Sequence, residues 1–178
     1  MKKNIILIVI IILVVVLLVT GVDIKTPEEY YLTHLDDITE DSETVFLSVS
    51  CSTVLNNFDK LDASLKENGR IPENGVIIEY KEFVLRKGDS VYDILNRVLR
   101  FYKIQSEFKT DIDKGRYIAG INHLYEFSCG ELSGWLYKIN GEFLNLDCGK
   151  AVLKDKDVIE IVYTCDLGRD VGAYPPQG

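Results

Sequence analysis

The sequence predicts an α+β domain in which one main helix crosses a mixed sheet of the β-grasp type, preceded by an N-terminal transmembrane helix. Three observations lead to this fold class. Segments with the alternation of β-strands open and close the domain, one long amphipathic segment lies between them, and residues 5–19 are all apolar. In a β-grasp sheet the first and last strands are adjacent and parallel at the centre.

The apolar segment indicates a membrane anchor. Extended to residues 5–22, it would form ~27 Å of helix at about 1.5 Å per residue, the short end of what spans a bilayer. Two lysines precede it and none follows directly, which predicts an N-terminus inside and a domain outside the cell membrane. A cleaved signal peptide is the alternative, because Val19 and Gly21 are small enough for a cleavage site. Both interpretations export residues 23–178.

The charge distribution divides the chain into four parts. Residues 1–22 are the anchor or signal peptide, 23–43 an acidic stalk, 44–172 the domain and 173–178 a loose tail. The stalk has eight acidic residues and one lysine, whereas the domain is nearly neutral. A solvated linker explains this stalk, and repulsion from an anionic membrane surface is the functional alternative. Since no basic patch is visible, nucleic acid is not predicted as a partner.

Two strand patterns begin the domain. Residues 44–51 alternate, so that Cys51 shares one face with three apolar residues. Residues 76–85 form the second pattern and lie between turn signals. The segment between them is more polar, and a short helix is expected near residues 55–65.

The main helix is predicted from Val91 to Tyr102, where apolar residues recur at i, i+3, i+4 and i+7. Ser90 and Asp93 have the spacing of a capping box at its start. After this helix the strand patterns cover, in chain order, residues 107–110, 116–127, 134–139, 142–146 and 158–165. Asn140 and Gly141 form a strong two-residue turn signal between the third and fourth of these.

The four cysteines all lie in the exported part, which favours disulfides in an oxidising compartment. No C-x-x-C pair is present, so a metal site is not predicted. Four cysteines allow three pairings. Because Cys51 and Cys165 end neighbouring strands of the predicted sheet, we predict that they pair. Cys129 and Cys148, which flank the predicted hairpin, would then form the second disulfide.

Two segments carry a resemblance to a known family. Residues 126–141, EFSCGELSGWLYKING, resemble the signature of the transcobalamin-like C-terminal domain, a module of uncharacterised exported bacterial proteins. Residues 157–170 resemble its closing strand. The similarity is dense over residues 117–172 and looser over 44–116. The sequence departs from the family at two positions: Lys156 replaces a usual glycine and Ile161 a usual tryptophan.

The resemblance implies a β-grasp-like fold and suggests which ligand to consider. In animal cobalamin carriers a similar domain covers one face of the corrinoid ring, so cobalamin or another corrinoid is the cofactor that the resemblance implies. Those carriers also use a large helical barrel, for which this chain has no room. We therefore expect weak or no corrinoid binding by the domain alone.

The candidate ligand-binding residues are aromatic side chains of the predicted hairpin and last strand: Trp135, Tyr137, Phe143 and Tyr163. Aromatic rings offer a large contact area and stack on planar ligands. The same alternation is typical of core residues, so a purely structural role is the alternative.

The predicted function is a non-enzymatic, membrane-tethered extracellular module that binds a small ligand or a surface protein. A structural or assembly component of the cell surface, acting through protein contacts, is the alternative. Neither His123 nor Ser133 has the partners or the context of a catalytic group, and no other acid–base or nucleophile constellation is visible. Catalysis is therefore not predicted.

Overall fold

A computed structural model describes residues 35–113 and 115–173 of the chain. The predicted anchor at residues 5–22, the first part of the stalk and almost all of the predicted tail lie outside the described residues. Within the described ranges, no helix combines the length and the apolar character needed to cross a membrane.

The described part folds into a five-stranded mixed sheet and a three-stranded antiparallel sheet. In chain order the strands are β1 Thr44–Ser50, β2 Val76–Val84, β3 Ser106–Asp111, β4 Gly115–Ile121, β5 Leu124–Tyr125, β6 Gly134–Ile139, β7 Glu142–Phe143 and β8 Val158–Thr164. The larger sheet has the order β2-β1-β8-β6-β7, and the smaller one the order β3-β4-β5.

A parallel pair of strands lies at the centre of the larger sheet. Strand β1 runs parallel to β8, with Leu47 opposite Ile159 and Val49 opposite Ile161. The flanking strands β2 and β6 are antiparallel to this pair. The first and last strands of the described domain are therefore adjacent and parallel. This confirms the predicted α+β class and a mixed sheet with a parallel pair at its centre.

Two α-helices are described, α1 at Ala63–Glu67 and α2 at Val91–Phe101. Helix α2 is the predicted main helix, and its capping box is present: the Ser90 hydroxyl accepts a hydrogen bond from the Asp93 amide, and the Asp93 carboxylate accepts one from the Ser90 amide. The predicted helix near residues 55–65 is instead a 3₁₀ segment, Ser52–Lys60, followed by α1. Asn57 interrupts that segment, because its side chain donates to the Thr53 carbonyl at 3.0 Å.

The hydrophobic core joins one face of the larger sheet, helix α2 and the smaller sheet. Its fully buried members include Val45, Leu47, Val49, Cys51, Val91, Ile94, Leu95, Val98, Leu99, Ile121, Leu124, Ile159 and Ile161. The face of β1 that the alternation assigned to the core is therefore buried, and so is the apolar face of α2.

Two predicted strands differ from the observed ones. The pattern at residues 116–127 is broken by a turn at Asn122 and His123, whose φ angles are 53° and 65°. Gln105 fixes this turn, because its carbonyl accepts from the Asn122 amide and its side chain from the His123 amide. His123 thus lies in a turn and not in a strand. The return strand predicted at residues 142–146 is limited to β7 at Glu142–Phe143.

The end of the predicted stalk contacts the domain. Leu35 packs against the core. The Asp36 carboxylate accepts two hydrogen bonds from Arg86, at 2.7 and 2.9 Å, and these bonds hold the pKa of Asp36 below its usual value.

Candidate functional site

A cavity of about 310 Å³ lies beside Trp135, between strand β6 and the β4–β5 hairpin. We call it the Trp135 cavity. Trp135 and Tyr137 line it from β6 and are buried, with 8% and 7% of their surfaces exposed. Phe127, Leu146 and Leu167 also line it, yet they are 62%, 50% and 55% exposed. We call these three residues the apolar rim.

Trp135 is held rigidly within the core. Its indole N–H donates to the Leu124 carbonyl at 2.8 Å. Its ring packs edge-on against Tyr163, with the ring centroids 5.1 Å apart. Since the indole is fixed on both sides, its accessible part presents a pre-organised aromatic surface to the cavity.

Tyr137 connects β6 to the apolar rim. Its hydroxyl donates to the Leu146 carbonyl at 2.8 Å, which fixes the segment that follows β7 against the cavity. Burial raises the pKa of Tyr137 to about 12, with smaller effects from Cys148 and Asp147. The phenol is therefore neutral near physiological pH and remains a hydrogen-bond donor.

The backbone of the apolar rim is strained at two positions. Phe127 and Leu167 have φ angles of 69° and 49°, in the left-handed region that residues other than glycine rarely adopt. Each conformation is held by a hydrogen bond: the Phe127 amide donates to the Ser133 carbonyl at 3.0 Å, and the Leu167 amide to the Leu132 carbonyl at 2.8 Å. These two bonds, one within a loop and one between loops, keep two apolar side chains exposed at the same cavity.

Ser133 organises the loop that carries Phe127. Its hydroxyl accepts from the Cys129 amide at 3.0 Å and donates to the Gly130 carbonyl at 2.7 Å. The Tyr163 hydroxyl lies 2.9 Å from the Ser133 hydroxyl oxygen and 2.7 Å from the Tyr125 carbonyl oxygen. Ser133 is buried and engaged in this network, which gives it a structural role in the loop.

The cavity also has a charged side. Arg116 lines it, and its guanidinium carbon lies 4.0 Å from the centre of the Tyr92 ring. Two carboxylate residues, Asp111 and Glu126, also line it. Glu126 accepts a hydrogen bond from Lys109 at 3.0 Å, and this bond raises the pKa of Lys109. The wall can therefore offer guanidinium donors to a ligand, with carboxylate acceptors nearby.

The structure separates the four predicted ligand-binding residues into two groups. Trp135 and Tyr137 line the Trp135 cavity. Tyr163 is fully buried behind the indole, and burial raises its pKa. Phe143 lies on β7 with its ring centre 5.3 Å from the Lys138 amine, and neither it nor Tyr163 contributes to the lining. Sequence reasoning missed the apolar rim, although an apolar residue directly before a glycine, such as Leu167, was an available signal.

All four cysteines are buried, and three of them are neighbours. The Cys165 thiol lies next to the Cys129 thiol and also near Cys51. Cys148 lies elsewhere, beside Tyr137 and on the wall of the Trp135 cavity. Pairing of Cys51 with Cys165 and of Cys129 with Cys148 stays a prediction, and it does not include the contact between Cys129 and Cys165.

Among the described residues, no cluster of three or more histidine, cysteine, aspartate or glutamate side chains could hold a metal ion. The cavity walls instead combine aromatic, aliphatic and a few charged groups. The fold and this site together define a small α+β domain with a preformed, ligand-sized cavity.

Residues 88–164 match the model of a family described as a domain of unknown function (DUF4430). No curated protein sequence matches the chain. Solved structures that match include haptocorrin in complex with Cbi (cobinamide), with 14% identity and a TM-score of 0.48 over 74% of this chain. The match spans only 27% of the haptocorrin chain. A candidate metal binding protein from Ruminococcus gnavus matches with 13% identity and a TM-score of 0.38, over 68% of this chain and 96% of its own.

Proposed function

We propose that the domain is a ligand-binding module whose Trp135 cavity receives a planar, partly apolar molecule. One observation carries this proposal: Phe127 and Leu167 expose apolar side chains at the same cavity from strained backbone. Each left-handed non-glycine residue costs about 1–3 kcal/mol, and such strain is concentrated at ligand clamps and other functional sites. Exposure of apolar side chains adds no folding energy, so a ligand that covers them supplies the physical reason for this arrangement.

The volume and the lining residues of the Trp135 cavity limit the size and the chemistry of the ligands that can bind there. A volume of about 310 Å³ is near the lower end of small-molecule sites, which run from roughly 300 to 1,000 Å³. A volume of this size suits one ring system, in contact with the Trp135 surface and the apolar rim. Arg116 can donate hydrogen bonds to an acceptor or anionic group on that ring. The ligand class is therefore a planar apolar ring that carries an acceptor.

A corrinoid is the first natural ligand to test, because of the resemblance to the transcobalamin-like C-terminal domain. We propose that the chain is a β-grasp-like member of that family and that it is not an enzyme. A cavity of about 310 Å³ encloses only an edge of so large a macrocycle. We therefore expect weak corrinoid binding, and a submicromolar dissociation constant for cobinamide, with haem as the control, would contradict this expectation.

The proposed location is the outer face of a cell membrane, with residues 5–22 as the anchor or as a cleaved signal peptide. The apolar run and the two lysines before it support this location. Protease added to intact cells is expected to remove the domain. Full protection in cells whose surface is accessible would contradict the proposed topology.

A second function, docking of another protein, is favoured by the edge of β6. Strand β7 pairs with Lys138 and Ile139, and the Leu144 amide after it donates to the Tyr137 carbonyl at 3.4 Å, so within the described part residues 134–136 have a strand partner on the β8 side alone. An extended peptide could add here as a further strand and place a side chain in the Trp135 cavity. Hydrogen exchange distinguishes the two functions, because strand addition protects backbone amides of β6, whereas a small ligand protects few of them.

Substitution of Phe127 tests the proposed function directly. Phe127→Gly is expected to weaken binding of the anionic aromatic dye 8-anilinonaphthalene-1-sulfonate at least about tenfold, a loss of roughly 1.4 kcal/mol. The thermal stability is expected not to fall, because relief of about 1–3 kcal/mol of backbone strain offsets loss of a mostly exposed ring. Dye fluorescence titrations and thermal melts measure both quantities.

Phe58→Ala is the matched control, since Phe58 is also exposed but does not line the cavity. Its dye affinity is expected to equal that of the unchanged protein. Equal dye affinity in the Phe127→Gly variant would show that the apolar rim does not bind planar ligands.

A further inference from the structure

A second cavity, of about 400 Å³, lies where the loop after β5 meets the end of β8. Its walls include Gly130, Leu132 and Asp170, together with two cysteines, Cys129 and Cys165. Cys51 lines neither cavity, and Cys148 lines only the Trp135 cavity. Cys165 is 6% exposed and Cys129 is fully buried behind the same wall, so a small thiol reagent that enters from solvent meets Cys165 first, with Cys129 next to it.

The two sulfur atoms are held next to each other by the same 3₁₀ segment. The Cys129 thiol donates to the Asn57 carbonyl at 3.4 Å, and the Cys165 thiol to the Thr53 hydroxyl at 3.7 Å. Asn57 and Thr53 are joined by their own hydrogen bond of 3.0 Å. The two thiols are also neighbours, because each affects the pKa of the other.

The backbone around both cysteines is already fixed. The Cys129 amide donates to the Ser133 hydroxyl at 3.0 Å, and the Cys165 amide to the Asp170 carboxylate at 2.7 Å. The amide of Leu167 donates to the carbonyl of Leu132, which joins the two segments directly. A disulfide between Cys129 and Cys165 would therefore join two segments that the fold already holds together.

We propose that Cys129 and Cys165 form the disulfide of the oxidised protein, in place of the two pairs that the strand order predicts. This bond would link the loop that carries Phe127 to the end of β8. Cys51 and Cys148 would remain thiols.

The oxidant is a low-molecular-weight disulfide such as oxidised glutathione. One cysteine thiolate attacks a glutathione sulfur, which forms a mixed disulfide and releases one glutathione thiolate. The second cysteine thiolate then attacks the cysteine sulfur of that mixed disulfide and releases the other glutathione. The protein loses two electrons and two protons, and the oxidant becomes two thiols.

The surroundings of the thiols make this reaction slow near neutral pH. Burial, and then the neighbouring Cys165 thiol, raise the pKa of Cys129 to about 12. Burial also raises the pKa of Cys165. Asp59 and Asp170 face these groups and act in the same direction, while Lys60 opposes them. Because the thiolate is the nucleophile, oxidation is expected to accelerate as the pH rises.

Disulfide mapping tests the proposal. The full chain is reduced, freed of reductant, incubated with oxidised glutathione at mildly alkaline pH, alkylated and digested without reduction for mass spectrometry. A peptide that links Cys129 to Cys165 is expected, with Cys51 and Cys148 alkylated. The link is expected to persist in Cys51→Ala and Cys148→Ala, which are the matched controls, and to disappear in Cys165→Ala.

Three kinds of outcome would overturn the proposal: a link between any other pair of cysteines, alkylation of all four cysteines, or a glutathione adduct that never resolves. The test does not depend on the folding of any variant, because the unchanged chain alone gives one of these results or the expected one.

Discussion

Replacement of Trp135 by alanine is expected to lower the free energy of unfolding by about 3–5 kcal/mol, the range for loss of a large buried aromatic side chain. The indole is 8% exposed, so its removal leaves a cavity beside Tyr163 that the core cannot fill completely. The Leu124 carbonyl also loses the indole N–H that it accepts at 2.8 Å. Urea denaturation followed by circular dichroism measures the change.

Trp135→Phe separates packing from hydrogen bonding. Phenylalanine retains much of the contact with Tyr163 but cannot donate to Leu124, so we expect a smaller loss, with about 0.5–1.5 kcal/mol from the hydrogen bond itself. Ile112→Ala is the surface control, because Ile112 is fully exposed, and its expected change lies within about 0.5 kcal/mol. If Trp135→Ala kept the full stability and lost only dye binding, Trp135 would be a ligand contact without a core role.

Replacement of Asp89 by alanine is expected to destabilise the domain by about 3–5 kcal/mol, because it leaves the charge of Arg97 buried without its partner. Asp89 is 8% exposed and precedes helix α2. Its carboxylate accepts hydrogen bonds from Arg97 and, at 2.9 Å, from the Arg86 amide. Arg97 also donates to the Val84 carbonyl at 3.1 Å, so this ion pair joins the start of α2 to the end of β2. Urea denaturation again provides the measurement.

Asp36→Ala is the matched control for the ion pair. Asp36 also binds an arginine, Arg86, but both side chains are partly exposed, and the expected loss is only about 0–1 kcal/mol. A double change, Asp89→Leu with Arg97→Met, is expected to recover part of the stability because no buried charge is then left alone. Equal losses for Asp89→Ala and Asp36→Ala would refute the importance of burial for this pair.

The ion pair has a consequence for the Trp135 cavity. Helix α2 carries Tyr92, whose ring lies under the Arg116 guanidinium. The Tyr92 ring also packs edge-on against Phe108, with the two ring centroids 4.8 Å apart. The Tyr92 amide also donates to the Cys148 carbonyl at 2.9 Å, next to the cavity wall. A shift of α2 would therefore move the Tyr92 ring on which the Arg116 guanidinium packs at the Trp135 cavity. Partial unfolding around Asp89 is expected to weaken binding of an anionic dye as well as stability.

Much of the fold follows from local patterns in the sequence. The alternation around Cys51 and the 3.6-residue period after Ser90 each define one apolar face, and both faces are buried. The same alternation places Trp135 and Tyr137 together on the buried side of β6. Such patterns are reliable because an apolar residue recurs on the same face at every turn of a helix or every second residue of a strand. Each of these residues therefore supports the same prediction of which face is buried.

Only the tertiary structure determines the apolar rim and the cysteine contact. Phe127 and Leu167 lie in different loops, and local periodicity carries no information about which loops approach each other. Their left-handed backbone also opposes the preference of their residue types. A bond to Ser133 within the same loop holds it at Phe127, and a tertiary bond to the Leu132 carbonyl holds it at Leu167. Strand order likewise brought Cys165 near Cys51, but the path of the loop after β5 places Cys129 against the same thiol. The sequence thus determines the faces that are buried, whereas the site depends on loops that meet through contacts distant in the chain.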